Sequence, residues 1–546
     1  MSTLCISAPG ALNQNNVNRL RGPSGVIVGA QMPNNNTNNY NNTNNNITTT
    51  NNTHNVHTAK IAAATHVRLE RAATVSPKKQ QHVIIVGAGI SGLRAASVLR
   101  RHGVGVTILE GRPDRMGGRI STSRAPGKAA RDIGAAWMHE TSQNKLVQLI
   151  PKLGIEHYYD DGTPLYYTRD GRAGSQFKAK KVADEFADYV EWFYKANPDA
   201  PDRAVKEFVD EFVEKHPLIT PSERKWAPQA TREVELWIGT SIEQASAKHL
   251  SYFMTERNLY LKGGYDKIVH WTAEPLLRDP DTRIRLGEVV RDIAWGTTDG
   301  SVTVASQTGT YTADAVLVTV PLGCLRRNMI AFAPPVPASI QQGINAFSYG
   351  ALGKVFLEFS EVFWPKDNDQ FIYYPSPPPP GTPVDDSSPP SILSYATVIS
   401  NLWIMSGTKE LCIQIAEPLT QRVEAMSDAA TLFAFFEPLF KLMRTEPYKD
   451  LPDLVSIETT HWTQDPLAGF GSYSVEKTGD DARILFAALD EHRGSRLQFA
   501  GEHCIKMGNG CVHGAFETGE VAARNLLGVF GMPWDGLDTT ARRVSP

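Results

Sequence analysis

The sequence has 546 residues, of which 41% are hydrophobic and 21% are charged, and its formal net charge at pH 7 is −3. This length is enough for two or more domains with a sizeable core, and the composition is typical of a soluble globular protein. No apolar run reaches the roughly 18 residues of a membrane-spanning helix, so we expect no membrane partner. The five cysteines form neither a disulfide framework nor a zinc pattern, so we expect no metal. We also expect no nucleic-acid partner.

Residues 1–79 have the composition of a disordered arm. Asparagine supplies 12 of the 19 residues from Asn34 to Asn52, and such a tract has too little apolar surface to offset the entropy lost on folding. The start lacks the charged and apolar regions of a secretory signal, and the last residues are not the peroxisomal Ser-Lys-Leu signal. We expect a cytoplasmic protein and leave a transit peptide open.

A strand, a glycine-rich turn and a helix follow the arm. Residues 82–86 are apolar and mostly β-branched, the turn contains Gly87, Gly89 and Gly92, and residues 93–101 have a helical pattern. The first glycine permits a tight turn, the second lets a pyrophosphate approach the backbone, and the third lets helix and strand pack closely. Free N–H groups and the positive dipole end of the helix favour phosphate. The pattern predicts a dinucleotide-binding domain.

Glu110 lies at the end of the next predicted strand, Gly105–Leu109. A carboxylate in this position binds ribose hydroxyls in dinucleotide-binding domains. The two features together are a strong signal for a bound dinucleotide, but they do not separate NAD from FAD.

The rest of the chain alternates strands and helices, which indicates an α/β fold. Further strands are predicted at Arg283–Leu286, Ser301–Ala305 and Ala315–Val320, helices at Val182–Ala196, Ala429–Met443 and Gly514–Leu527, and a Pro-rich loop at Ser376–Ser391. The predicted organisation is a nucleotide-binding domain from residues 80–138, 263–322 and 461–530, a second domain from residues 139–262 and 323–460, and a tail over residues 531–546.

The stretch from Glu110 to Arg119 resembles the flavin-containing amine oxidases. It reads Glu-Gly-Arg-Pro-Asp-Arg-Met-Gly-Gly-Arg, against the family pattern Glu-Ala-Arg-Asp-Arg-x-Gly-Gly-Arg, with one extra residue. The resemblance implies that Arg112, Gly117, Gly118 and Arg119 hold the pyrophosphate of FAD and pass close to the flavin.

Later blocks, up to about residue 530, extend this resemblance. They are Asp132–Trp137, Leu261–Tyr265, Glu288–Ile293, Ala315–Gly323, His461–Trp462, Phe499–His503 and Gly510–Ala515. They imply a two-domain flavin amine oxidase fold, with a Rossmann-type FAD-binding domain and a substrate domain whose mixed sheet is flanked by helices. The further FAD contacts that they imply are Gly134, Ala135, Trp137, Val290, Trp462, Gly501, Glu502, Cys511 and Val512.

Lys354 is the predicted catalytic residue with the most specific motif. It lies in the alternating strand Gly353–Phe359, where a lysine would usually be exposed. The strand resembles the one that places a lysine beneath the flavin in polyamine oxidases and lysine-specific histone demethylases. A buried lysine has a lowered pKa and can move protons near neutral pH.

Four more residues are implied in the site by the same resemblance. Tyr473, in Gly-Ser-Tyr-Ser, would stand at the flavin face, and His139 resembles the active-site histidine of fungal polyamine oxidases. Asp160 and Asp161 resemble an acidic stretch near the distal amine of the substrate. Because Ser472 occupies the position of the cysteine that tethers flavin in monoamine oxidases, FAD is expected to be noncovalent.

The predicted function is FAD-dependent oxidation of a polyamine or related secondary or tertiary amine. The resemblance implies oxidation of a C–N bond to an iminium, hydrolysis to an aldehyde and an amine, and reduction of O2 to H2O2. Three alternatives stay open: a methyl-lysine demethylase, a small-amine oxidase of a biosynthetic pathway, and a non-catalytic flavin-bound scaffold. The particular amine, the bond cleaved and the oligomeric state are not predicted.

Overall fold

The computed structural model describes residues 80–175, 177–250, 257–377 and 390–536. The predicted disordered arm, most of the Pro-rich loop Ser376–Ser391 and the last ten residues of the predicted tail lie outside the described residues.

A five-stranded parallel sheet forms the centre of the first lobe. Its strands, in spatial order, are β10 (Thr282–Leu286), β2 (Gly105–Glu110), β1 (His82–Val86), β14 (Ala315–Val318) and β23 (Leu497–Phe499). Both faces are covered, since Val83 and Ile85 pack into one core while Ile84 and Val86 pack into another. Burial on two faces explains why the central strands β1 and β14 are nearly continuous apolar runs.

Three helices cover one face of this sheet, and a smaller sheet covers the other. The helices are α1 (Ile90–Arg101), α7 (Asp266–Leu277) and α14 (Val512–Val529). The smaller sheet has the order β13 (Thr310–Ala313), β12 (Val302–Ser306), β11 (Val290–Ala294) and β15 (Ala331–Ala333). Helices α8 (Leu322–Arg326), α9 (Ala338–Asn345) and α13 (Arg483–Glu491) pack into the same core as this sheet.

A seven-stranded mixed sheet forms the second lobe. Its strands, in spatial order, are β21 (Leu454–Thr459), β17 (Leu352–Phe359), β20 (Glu410–Ala416), β19 (Thr397–Asn401), β18 (Gln370–Tyr373), β7 (Leu165–Thr168) and β8 (Gly171–Arg172). Neighbouring strands are antiparallel except β18 and β7. The alternation of side chains along each strand gives the sheet two buried faces.

Helices cover both faces of this sheet. Helix α12 (Ala429–Met443), beside α11 (Leu419–Glu424), packs on one face. Helices α3 (Ala179–Ala196), α5 (Pro221–Thr231) and α6 (Glu235–Ile238) lie towards the other. The remaining α-helices among the described residues are α2 (Leu149–Leu153), α4 (Val205–Lys215) and α10 (Leu402–Ser406).

Three small sheets lie between the two lobes. They consist of β5 (Trp137–Met138), β9 (Leu259–Leu261) and β6 (His157–Tyr159); of β16 (Ser348–Gly350) and β22 (Tyr473–Val475); and of β3 (Thr122–Ser123) and β4 (Arg131–Asp132). Strands β5 and β22 carry the Trp137 and Tyr473 positions that the sequence analysis assigned to the site.

The predicted α/β fold class is confirmed, and its elements differ from prediction mainly at their ends. The helix α12 has the predicted bounds, whereas β14 ends at Val318, two residues early. Residues 323–347, assigned from the sequence to the second domain, pack through Leu325, Ile340 and Phe347 into the core of the first. Among the described residues, no helix is both long and apolar enough to cross a bilayer.

Candidate active site

One cavity of about 730 Å³ connects the two lobes. Its wall includes Val86 and Leu109 from the parallel sheet and Val398 and Gln414 from the mixed sheet. All the site residues predicted from the sequence line this cavity except Gly92 and Asp161. The roles assigned to these residues stay predictions, but the structure gives them one common location.

The glycine-rich turn leaves an open space at the start of α1. Gly87 has a φ of +107°, and its N–H donates to Leu109 O at 2.8 Å. A Cβ at Gly92 would lie 2.2 Å from Gly87 O. Gly92 is therefore needed for α1 to pack against the turn, and it does not line the cavity. A Cβ at Gly89 would meet no atom within 4 Å. Gly89 therefore borders a cradle beside helical N–H groups, which fits a pyrophosphate.

Glu110 organises the same turn. Its buried carboxylate accepts from Ala88 N–H through Oε2 at 2.7 Å and from Arg112 N–H through Oε1 at 2.9 Å. Each carboxylate oxygen has a second lone pair. Glu110 can thus hold the loop and still accept hydrogen bonds from ribose hydroxyls.

Arg112 and Arg115, two of the three arginines in the Glu110–Arg119 stretch, have different partners. Arg112 forms an ion pair with Asp465. Arg115 donates to Gly118 O at 2.9 Å and so shapes the loop that contains Gly117 and Gly118. These glycines have φ values of +104° and +61°, which only glycine adopts without strain. Neither Arg115 nor Asp465 was predicted as a site residue.

Half-buried Arg119 and buried Glu502 form an ion pair at 2.7 Å. Arg119 also donates to Ser472 O at 3.0 Å, and the Glu502 carboxylate accepts from Ser474 Oγ and from Gly510 N–H. Burial alone would raise the pKa of Glu502, but the charges of Arg119 and His503 and the hydrogen bonds from Ser474 and Arg119 together outweigh it, so the pKa lies below its ordinary value. The pair ties the Gly117–Arg119 loop to the segments preceding α14.

The start of α14 faces the cavity. Cys511 precedes the first turn without a side-chain cap, and both Cys511 and Val512 line the wall. The first turn of an 18-residue helix thus presents N–H donors and a positive dipole end. Gly501 and Val290 line the wall as well, and Trp462 donates to Ile133 O at 3.3 Å. This donor set suits an anionic or carbonyl-bearing group.

Lys354 is enclosed where the two lobes meet. Its side chain is 6% exposed. Its Nζ donates to Asp132 O at 3.0 Å and to Gly134 O, and lies 5.1 Å from the centre of the Trp137 ring. Burial lowers the pKa of Lys354, while Cys412 and Asp132 oppose this shift. Gly134, between β4 and β5, passes so close to the Arg119 backbone that a Cβ there would lie 1.9 Å from Arg119 O.

Aromatic side chains and His139 form the wall near Lys354. Tyr473 Oη donates to Trp237 O at 2.8 Å. The His139 ring lies edge-on to Trp237 at 6.4 Å, and its Nδ1 is 2.8 Å from Asn258 Oδ1. Burial lowers the pKa of His139 although Asn258 opposes this. A neutral imidazole is the favoured form at neutral pH.

The two predicted substrate aspartates have different environments. Asp160 lines the cavity, and its Oδ2 accepts from Gln370 at 3.2 Å. Burial, followed by the charge of Asp369, raises the pKa of Asp160 to about 7. Asp161 instead forms an ion pair with Arg257 on the surface, and its side chain is 43% exposed. The structure does not bring Asp161 into the site, because neighbouring residues of an extended segment point to opposite sides.

Comparison with known proteins identifies the family. Residues 90–527 match the model of the flavin containing amine oxidoreductases. The chain belongs to this family.

Similar proteins include both polyamine oxidases and histone demethylases by name. The chain is 30% identical to polyamine oxidase 4 of Oryza sativa subsp. japonica, over 81% of this chain and 87% of that protein. It is 29% identical to lysine-specific histone demethylase 1 homolog 2 of Arabidopsis thaliana, over 85% of this chain and 60% of that protein. It is also 29% identical to the corticosteroid-binding protein of Candida albicans, over 83% of this chain and 97% of that protein.

This amine oxidoreductase is thus an FAD-containing protein, as predicted. Its cavity fits the cofactor: the space beside Gly89, the Glu110 carboxylate, and the N–H groups of α1 and α14 offer the contacts that pyrophosphate, ribose and a flavin carbonyl need. The described residues contain no cluster of three or more His, Cys, Asp or Glu side chains that would hold a metal ion.

Several cavity residues of the amine oxidoreductase were missed by the sequence analysis. They are Trp237, Asn258, Gln370, Gln414 and Glu233. Each belongs to a segment without a motif of its own. Only the pairing of distant strands and helices brings these side chains to the cavity.

Proposed function

We propose that this amine oxidoreductase oxidises a polyamine, or a related secondary or tertiary amine, to an aldehyde and a smaller amine. The observation that carries the proposal is the presence, on one cavity wall, of the enclosed Lys354 and the carboxylate of Asp160. The similarity to polyamine oxidases supports the same substrate class. Noncovalent FAD, when bound, would supply the redox chemistry, taking two electrons from the amine and passing them to O2 to give H2O2.

The aromatic residues near Lys354 would orient the reacting amine. Trp137, Trp237 and Tyr473 line the cavity together, and aromatic rings provide a rigid apolar wall with an electron-rich face. The hydrogen bond from Tyr473 to Trp237 O fixes the phenol ring. The ring faces attract a cation, but desolvation of an ammonium by the apolar wall is costly, so the wall favours the uncharged amine, which has the free lone pair.

Lys354 would hold or move a proton beside the reacting carbon. Two carbonyl oxygens fix its Nζ, and its lowered pKa makes the neutral amine accessible. A group whose pKa approaches the working pH exchanges protons most effectively. His139, fixed by Asn258, would accept or donate one hydrogen bond to the substrate through its other ring nitrogen.

Asp160 would bind a second, cationic nitrogen of the substrate. Its ionised form carries a negative charge on a wall where burial desolvates the carboxylate, and an ion pair with an ammonium is stronger there than in bulk solvent. This interaction would favour an amine with more than one nitrogen over a simple monoamine.

The proposal is tested by peroxide release from the FAD-loaded protein. The panel consists of spermine, spermidine, their acetylated forms, monoamines and a methyl-lysine peptide. We expect release with a polyamine and little with monoamines. Release only with the peptide would favour demethylation, release only with a monoamine would favour a small-amine oxidase, and release with none would favour the scaffold.

A further inference from the structure

One face of the mixed sheet forms a floor of the cavity. Lys354 pairs with Gln414 across β17 and β20, Gln414 with Val398, and Val398 with Ile372 of β18. Gln414 and Val398 line the cavity with Lys354. With three steps of about 4.8 Å between strands, β18 lies roughly 14 Å from the Lys354 strand.

Strand β18 and Tyr374, the residue that follows it, present two polar side chains on this face. Ile372 and Tyr374 pack with Val398, whereas Phe371 and Tyr373 pack into the opposite core. By the same alternation, Gln370 faces the cavity, which it lines. Gln370 and Tyr374 are four residues apart, which corresponds to about 13 Å along the extended chain.

Each of these side chains holds a carboxylate. Gln370 Nε2 donates to Asp160 at 3.2 Å, and Tyr374 Oη donates to Glu233 Oε2 at 2.9 Å. Both Asp160 and Glu233 line the cavity. The cavity therefore has two acidic points, Asp160 beside Gln370 at one end of this segment and Glu233 beside Tyr374 at the other.

The surroundings of Glu233 retain a negative charge. Lys180 and Asp184 of α3 form an ion pair with each other and line the same part of the wall. Burial raises the pKa of the half-buried Glu233 above its ordinary value, and Lys180 and Tyr374 reduce this shift without reversing it. Lys180 and Asp184 compensate each other, so the ionised form of Glu233 is the carboxylate left for a cationic ligand.

The hydroxyl that orients Glu233 belongs to a rigid aromatic stack. The Tyr374 ring stacks on Tyr166 at 5.7 Å and on Phe177 at 6.0 Å. A carboxylate fixed in this way loses little entropy when a ligand binds.

We infer that Glu233 binds the far ammonium group of a long, linear substrate amine whose reacting nitrogen lies beside Lys354. This inference rests on the proposed function and adds a second branch to the substrate cavity, separate from that of Asp160. This branch of the cavity selects substrate amines by length, because only an amine long enough to span the sheet floor reaches both Lys354 and Glu233.

The test compares Glu233→Gln with the wild type and with Glu185→Gln, all loaded with FAD. Glu185 lies beside Asp184 on α3, pairs with His216, and is 56% exposed outside the cavity wall, so its substitution removes the same charge without touching the branch. Anaerobic calorimetry measures the Kd of linear alkane diamines of increasing length and of monoamines with matching chains.

We expect Glu233→Gln to weaken the binding of long diamines by about tenfold or more, since a charge-assisted hydrogen bond is lost. Short diamines and monoamines should bind as they do to the wild type, and Glu185→Gln should change nothing. Tyr374→Phe keeps the carboxylate but removes its orienting hydroxyl, and should give a smaller loss for the same ligands. It serves as the test if Glu233→Gln does not fold.

Equal Kd values for wild type and Glu233→Gln, an equal loss for monoamines, or a wild type that binds no long diamine would overturn the inference. A measurement of turnover distinguishes failure of the inference about Glu233 from failure of the proposed function. A wild type that binds diamines with the expected length dependence but oxidises no amine would contradict the proposed function and leave the role of Glu233 supported.

Discussion

Lys354 is a cation held by carbonyl oxygens rather than by a carboxylate. Its contacts are Asp132 O and Gly134 O, and the Asp132 carboxylate is directed to Tyr265 N–H. A full ion pair would stabilise the ammonium, whereas carbonyl dipoles do so only in part. The arrangement leaves the lysine with a lowered pKa and the capacity to release a proton.

Replacing Lys354 by Met should slow flavin reduction or flavin reoxidation at least ~100-fold, the usual scale for a lost proton-transfer group. FAD should stay bound, because the side chain contacts backbone carbonyls and not the glycine cradle. Stopped-flow measurement of the two half-reactions checks this, with Lys366→Met, outside the cavity wall, as the control. Unchanged rates of both half-reactions would remove Lys354 from the mechanism.

Asp160 should make polyamine binding depend on pH. Its pKa of about 7 results from burial first and from the nearby Asp369 second, so the carboxyl is neutral below pH 7 and ionised above it. Because the ammonium needs the ionised form, KM for a polyamine should rise about tenfold for each pH unit below 7.

Steady-state KM between pH 5.5 and 8.5 checks this prediction. Asp160→Asn should have a high KM at all of these pH values. Asp161→Asn, which removes the neighbouring exposed carboxylate, should keep the wild-type profile. A pH-dependent KM that survives in Asp160→Asn would assign the titration to another group.

The turn between β1 and α1 separates two functions of glycine. Gly92 is required where helix and turn meet, since a Cβ would lie 2.2 Å from Gly87 O. Gly89 is at a position where a Cβ meets no protein atom, and its φ of −69° is open to any residue. Gly92 therefore serves the fold, and Gly89 keeps open the space in front of α1.

Gly89→Ala should fold with the thermal stability of the wild-type apoprotein but bind FAD more weakly, because its methyl group enters the pyrophosphate space. Gly92→Ala should lower Tm of the apoprotein itself, since the clash with Gly87 O displaces α1. Gly528→Ala, in α14 with open space around it, is the control and should raise stability by about 0.5–1 kcal/mol.

Calorimetry of the apoproteins and titration with FAD measure the two effects of the glycine substitutions. Weak FAD binding by Gly528→Ala, or wild-type FAD affinity in Gly89→Ala, would contradict the assignment of the space beside Gly89 to the cofactor.

At the scale of the molecule, the sequence predicted what depends on local spacing. The strand, turn and helix around Gly87, and the alternating strand around Lys354, are written in consecutive residues and have the predicted form. The fold class followed from the same patterns together with the family resemblance.

The rest could not be predicted because it depends on contacts between distant segments. Trp237 and Asn258 meet His139 only when α6 and β9 pack beside β5, and Glu233 meets Tyr374 only across helix and sheet. The choice between Asp160 and Asp161 depended on the direction of one extended segment. None of these relations leaves a repeated spacing in the sequence.

The two lobes bring the glycine cradle and Lys354 to one cavity, and the central claim is that a bound flavin there accepts electrons from a polyamine. The most direct measurement is the visible absorbance of the FAD-loaded protein, titrated with spermine and spermidine in the absence of oxygen. The account predicts loss of the flavin absorbance with a polyamine and its return when O2 is admitted. Retention of the oxidised spectrum at saturating concentrations of both polyamines would contradict it.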